Sequence, residues 1–192
     1  MNLPLLILAS VSPRRADLLR QSQLEFQVVA SEATELHHEH LTATELSQVN
    51  AYRKARAVAE RFPDALVIGA DTLVYLVTQL FGKPADLAEA QRMLAQLQGR
   101  THQVVTGVCL IHLHGHRQKV FSVSTEVTFH SLNAAQIRDY LARISPLDKA
   151  GAYAIQEHGD LIVKAISGSF SNVMGLPIER MREELERWER AS

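Results

Sequence analysis

The sequence predicts an α/β fold. Apolar runs of strand length alternate along it with stretches of helical periodicity, and its 192 residues, 46% hydrophobic and 21% charged, suffice to bury a core. No repeat, low-complexity stretch or linker interrupts the alternation. Residues 1–192 are therefore read as a single domain, at most two small lobes sharing one core.

"LPLLILA" (3–9) is a short apolar run suited to a buried strand. A helix follows over 13–22, with Ser12 placed to cap it and Pro13 at its first position. Arg14 and Arg15 then fall in the first turn, where the helix dipole opposes a cation by roughly 0.3–1 kcal/mol. The pair is either solvated at that small cost or set against an anion. "EFQVVAS" (25–31) reads as the next strand. A polar segment containing Glu35 and "HHEH" (37–40) leads to a helix over 43–62, where Leu46, Val49, Tyr52, Ala55, Ala59 and Phe62 recur at near-helical spacing.

"ALVIGADTLVYLV" (65–77) is the strongest strand in the chain. "GKPAD" turns the chain, and Asp86 caps the next helix with Glu89 three residues on. Leu87, Ala90, Leu94 and Leu97 form one stripe of that helix, which stops at Gly99. "HQVVTGVCLIHL" (102–113) and "KVFSVSTEVTFHS" (119–131) are two strands joined at "HGHR". Asn133 caps a helix carrying Ile137, Tyr140, Leu141 and Ile144. Residues 148–177 are rich in loops, with a strand at "DLIVKAI", and the last helix starts at Pro177 and buries Ile178, Met181, Leu185 and Trp188.

Charge narrows the function. Twenty basic and 21 acidic residues give a net charge of -1, a poor match for duplex nucleic acid, whose binders carry a strongly basic face. A small anion needs only a local basic cluster. The single cysteine, Cys109, lies in an apolar run and reads as a buried small hydrophobe, as suits a reducing cytoplasm. The apolar opening is short and has no basic segment before it, unlike a signal peptide. No stretch reaches the ~18 apolar residues of a membrane span. A cytoplasmic protein is expected.

Asp71 interrupts the strongest strand, where a carboxylate needs a partner or a metal to stay ionised. The plain alternative is a strand end with Asp71 and Thr72 in a turn. Lys83, in "GKP", sits on a turn that could hold a cation against an anion, and Lys54 flanks the apolar stripe of its helix. In "DKAGAYAIQ" (148–156), Lys149 is set among small residues and Gln156 ends an apolar run. A buried glutamine there could read the edge of a base or satisfy loop backbone. The histidines of 37–40 and 112–116 lack the cysteine or carboxylate partners of a zinc pattern and read as surface loop and hairpin tip. No G-x-S-x-G elbow supports a serine hydrolase.

Taken in order, "ASVSPRR" (9–15), Glu35, "KARAV" (54–58), "GADTLV" (69–74), "GKP" (82–84), "MLAQLQGRTHQVVTGV" (93–108), "STEVTF" (124–129), "DKAGAYAIQ" and "GSFSNVMGLP" (168–177) resemble the Maf family of nucleoside triphosphate pyrophosphatases. No single piece is specific; the ordered set is. The resemblance implies a two-lobed, mixed-sheet α/β fold akin to the inosine triphosphatase group, with a central cleft, and a homodimer. It implies cleavage of a nucleoside triphosphate between the α and β phosphates, assisted by a divalent cation, Mg or Mn. Carried over by position, Asp71 becomes the general base beside the metal and Glu35 a second metal ligand. Ser10, Arg14, Arg15, Lys54 and Lys83 become triphosphate contacts, and Lys149 is counted with the substrate-binding residues. Thr72 and Gln156, with Arg14, match positions linked to base choice in the dTTP/UTP branch. The competing expectations are a pyrophosphatase for 7-methyl-GTP or other modified nucleotides, and a nucleotide-binding regulator of cell division.

Overall fold

A computed structural model describes residues 4–38 and 40–190. Its first strand is β1 (Leu6–Leu8), followed by α1 (Pro13–Gln21), β2 (Gln27–Val28), α2 (Ala43–Ala59), β3 (Leu66–Leu76) and β4 (Gln79–Phe81). Next come α3 (Leu87–Leu97), β5 (Thr101–His112), β6 (Arg117–Phe129) and α4 (Ala134–Leu141). Three short 3-10 turns lead to β7 (Val163–Ser167), α5 (Phe170–Met174) and α6 (Ile178–Arg190). The strands form an open mixed sheet in the order β2-β1-β3-β5-β6-β7, with β4 paired to β3. β1 is parallel to both β2 and β3, and helices make those crossovers, as parallel strands require. The turn at 113–116 is too short for a parallel return, so β5 and β6 form a hairpin. Among the described residues no helix is long and apolar enough to cross a membrane.

The chain divides into two compact units. One comprises the chain up to Asp71, Thr106–Val123 and the segment from Gly175 onward; the other comprises Thr72–Val105 and Ser124–Met174. Where α2 packs in the first unit, one core cluster is built largely of small residues. Ala51, Ala55, Val58 and Ala59 of α2 pack with Ile7, Ala9, Val67, Cys109 and Ile111. Two glycines explain the choice. A β-carbon on Gly69 of β3 would overlap the carbonyl of Ala51 and stand 2.7 Å from the Ala55 nitrogen. One on Gly107 of β5 would overlap the Ser47 carbonyl and stand 2.6 Å from the Gln48 nitrogen. The helix backbone thus lies directly on two strands, and only short side chains fit between.

That contact corrects the expected helix face. Val49 is exposed and Tyr52 half-buried, while Ser47 and Asn50 are buried. The helix also ends at Ala59, short of Phe62. Burial of Cys109 pushes its thiol up to about 12, which makes it a packing residue at neutral pH. Other differences are local. β2 is only two residues long, exposed at both. Leu87 of the α3 stripe is exposed, and residues 170–174, read as loop, form α5. Ile178 of α6 is half-buried, and Glu184 is buried instead, paired with Arg180 at 2.6 Å and Arg187 at 2.7 Å. Leu3, the first residue of the predicted strand, and Glu39 of the histidine-rich segment lie outside the described residues.

The second unit encloses a core that includes Val74, Phe81, Leu94, Leu97, Phe129 and Tyr140. His102 is buried within it, its Nε2 at 2.9 Å from the Tyr153 hydroxyl and its ring edge-on to Phe129. Burial lowers its pKa from 6.5 to about 4. Between those values the unfolded chain binds the extra proton, so stability rises with pH there and is lost as the solution is acidified toward pH 4. Urea titrations at pH 7 and 4.5 are expected to show that His102→Gln, which keeps a partner for Tyr153 without titrating, loses about 2 kcal/mol less than the unaltered protein over that interval. Equal losses would mean that His102 does not carry this sensitivity.

Candidate functional site

The first unit collects six of the expected site residues: Ser10, Arg14, Arg15, Glu35, Lys54 and Asp71. Asp71 is not at a strand end. It lies inside β3, which runs on to Leu76, and is 4% exposed. Its burial is compensated by donors. Lys54 Nζ donates to Asp71 Oδ1 at 2.6 Å and to Glu35 Oε1 at 2.7 Å, so one ammonium joins the two carboxylates. The Glu35 side chain remains 38% exposed against 6% for Asp71, which opens the pair to solvent on the Glu35 side. The close seat of α2 on Gly69 explains how a lysine on a helix reaches a carboxylate in the adjacent strand.

The remaining oxygen of Asp71 is held by a residue the sequence reading passed over. Asn50, 2% exposed, donates from Nδ2 to Asp71 Oδ2 at 3.2 Å. The same nitrogen donates to the Leu36 carbonyl at 3.1 Å, and Asn50 Oδ1 accepts the Leu36 N–H at 2.7 Å. Arg53 Nε donates to the Thr34 carbonyl at 3.2 Å. Residues 34, 35 and 36 are therefore fastened by side chains 53, 54 and 50 of one helix. The available signal was a poor helix former inside a helix, one turn before Lys54 on the same face.

The two arginines of α1 differ. Arg15 Nε donates to the Gly175 carbonyl at 2.7 Å and an Arg15 terminal nitrogen to Ser10 Oγ at 3.3 Å. Burial draws its guanidinium below the ordinary value and Arg14 adds to that pull, while Asp71 and then Glu35 oppose it. Arg14 is half-exposed and contributes its charge to the same place. Ser12 does not cap the helix with its side chain. Ser10 organises the turn instead, accepting the Ser12 N–H at 3.1 Å as well as Arg15.

Thr72, Lys83, Lys149 and Gln156 belong to the second unit. Thr72 follows Asp71 on β3 and is half-buried, and Lys83 is exposed on the turn after β4. That turn is joined to the 148–156 segment by the Gly151 N–H, which donates to the Gly82 carbonyl at 3.0 Å. Gly151 (φ 69°) and Ala152 (φ 62°) are consecutive left-handed residues. At a fully buried alanine this is stored strain of the kind that surrounding contacts must hold in place. Lys149 is buried, and its ammonium donates to the Ser145 carbonyl at 2.6 Å and to Asp148 at 2.9 Å, with Glu157 at 3.7 Å. It fastens its own segment. Gln156 is exposed, not buried, because it lies just past the apolar run; its Nε2 donates to Glu157 at 3.3 Å.

A further tie in this unit was also passed over. Asn172 Nδ2 donates to the Val104 carbonyl and to Thr125 Oγ1, both at 3.0 Å, which anchors α5 to β5 and β6. The histidines at 37, 38, 40, 114 and 116 are exposed, and His114 pairs with Asp64 at 2.8 Å.

The family model for Maf-like protein matches residues 5–188. A protein of Geobacillus sp. (strain WCH70) named dTTP/UTP pyrophosphatase is 46% identical over 95% of this chain and 97% of its own length. Proteins of the same name from Symbiobacterium thermophilum (48% identical, over 91% of this chain and 89% of the relative) and Myxococcus xanthus (46%, over 95% and 92%) are similarly close.

Proposed function

This chain belongs to the Maf-like protein family, and from that premise we propose that it is a nucleoside triphosphate pyrophosphatase that converts dTTP and UTP to the monophosphate and pyrophosphate. The relatives' shared name supports that substrate class over 7-methyl-GTP. The observation that carries the chemistry is Asp71, buried inside a strand and facing Lys54 and Glu35. In this reading Asp71 takes the proton of the attacking water. Arg14, Arg15, Lys54 and Lys83 bind the phosphate chain, and Ser10 adds a hydroxyl donor at the start of α1. Thr72 and Gln156, with Arg14, are assigned to base choice because they match the positions linked to it in the dTTP/UTP branch. Much of the rate enhancement is then positioning and charge neutralisation.

The donor set fits a hard divalent cation. Two carboxylates lie on either side of one ammonium, and Mg typically takes one or two protein carboxylates and fills its remaining positions with water and phosphate oxygens. Glu35 and Asp71 would hold Mg or Mn, which when bound supplies positive charge to the phosphates and acidifies water. A homodimer in the cytoplasm completes the reading.

The test is pyrophosphate release from a panel of dTTP, UTP, CTP, ATP, GTP and 7-methyl-GTP, with Mg or Mn added. Turnover of dTTP and UTP well above the others is expected. Turnover confined to 7-methyl-GTP would refute the proposal.

A further inference from the structure

We infer that Asn50 is a positioning residue for this reaction: one amide sets the placement of both the Asp71 and the Glu35 carboxylates. It acts on Asp71 directly through Oδ2, and on Glu35 through both backbone groups of Leu36, the next residue along. Its two N–H groups and its carbonyl are all engaged, so the amide has a single orientation that satisfies every partner. Lys54 alone would not fix this geometry, because an ammonium on a flexible stem attracts both carboxylates without dictating their rotation. With Oδ2 held by Asn50 and Oδ1 by Lys54, the carboxylate plane of Asp71 is set. A reaction that depends on placing a water beside that carboxylate gains from this rigidity, since small misplacements of a base cost rate more than they cost binding.

The inference rests on the pyrophosphatase reading, and its test separates the two. Asn50→Asp has nearly the same shape and keeps the acceptor for the Leu36 N–H, but removes the donors to Asp71 and to the Leu36 carbonyl. Asn50→Leu removes all three bonds without adding charge. Arg53→Leu is the comparison that isolates the contact with Asp71, because Arg53 anchors the same segment at Thr34 but bonds to the Thr34 carbonyl, not to Asp71. Steady-state kinetics with dTTP, a thermal melt and hydrogen exchange at the Leu36 amide are measured on all three full-length variants.

Both Asn50 variants are expected to lose at least about 10-fold in kcat with KM within about 3-fold, the pattern of an interaction needed in the transition state. Asn50→Asp should show that loss while the Leu36 amide stays protected, and Arg53→Leu, which loosens the Glu35 segment without touching Asp71, should lose less kcat than either Asn50 variant. The inference is overturned if either Asn50 variant, folded by its melt, keeps wild-type kcat, if the loss lies in KM alone, or if Arg53→Leu loses as much kcat as the Asn50 variants. If Asn50→Asp fails to fold, Asn50→Leu decides by the same criteria. A wild-type protein inactive on the whole triphosphate panel would refute the pyrophosphatase reading and this inference with it; an active wild type with unaffected Asn50 variants refutes only the inference.

Discussion

Asp71→Asn is expected to lower kcat for dTTP by about 10³-fold, the scale of a removed general base, while dTTP binding persists. The substitution is close to isosteric, but its consequences follow from the two neighbours. Lys54 has only donors to offer, so it selects the oxygen of the new amide. The new NH₂ then faces Asn50 Nδ2, and two donors meet where a hydrogen bond stood at 3.2 Å. The unmet pair should cost about 1–3 kcal/mol of stability, which a urea titration reads separately from kinetics. Binding should survive because the cations proposed to bind the phosphates are untouched, and calorimetry with dTTP checks it. Retained hydrolysis at a tenth of the wild-type rate or more would remove Asp71 from its assigned role.

Gly107→Ala is expected to be the most damaging single methyl group in the first unit. The added carbon would overlap the backbone carbonyl of Ser47 and come within 2.6 Å of the Gln48 nitrogen. Those are main-chain atoms of α2, and no side-chain rotation relieves the overlap; the helix itself has to move. Overpacking of this kind costs about 3 kcal/mol, or about 10 °C in Tm for a chain of this size. Gly69→Ala, against Ala51 and Ala55 of the same helix, should behave alike. Any fraction that still folds should also lose kcat, because a shifted α2 carries Asn50 and Lys54 away from Asp71. A melt within 2 °C of wild type would show that the helix gives way cheaply.

What could be read from the residues divides along physical lines. α3, β5, β6 and α4 were legible because their signals are local: a side-chain cap at Asp86 or Asn133, a mostly apolar run in β5, and alternating apolar and polar residues rich in Val and Thr in β6. The face of α2 was not, because Val49 fits the helical period as well as Asn50 does. Only the approach of Gly69 and Gly107, far away in sequence, decides which one is buried. Asp71 and Lys54 could be singled out as a carboxylate inside an apolar strand and a lysine beside an apolar stripe. Their meeting with Glu35 could not, since it depends on a segment without regular structure being fastened to a helix. Gln156 and Lys149 show the converse: a small-residue context marked the segment, but which polar side chain turns inward was set by Ser145, Asp148 and Glu157.

The pairing of Asn50 with Leu36 has a consequence for how this chain can vary. One side chain supplies Leu36 with the donor and acceptor that a neighbouring strand would otherwise provide. The segment is thus docked as firmly as an edge strand at that residue while owing nothing to β-propensity. "SEATELHHEHL" can consequently be mostly polar and still present Glu35 to Lys54. Substitutions of the exposed residues around Glu35 should therefore cost little stability as long as Asn50 keeps both bonds to Leu36.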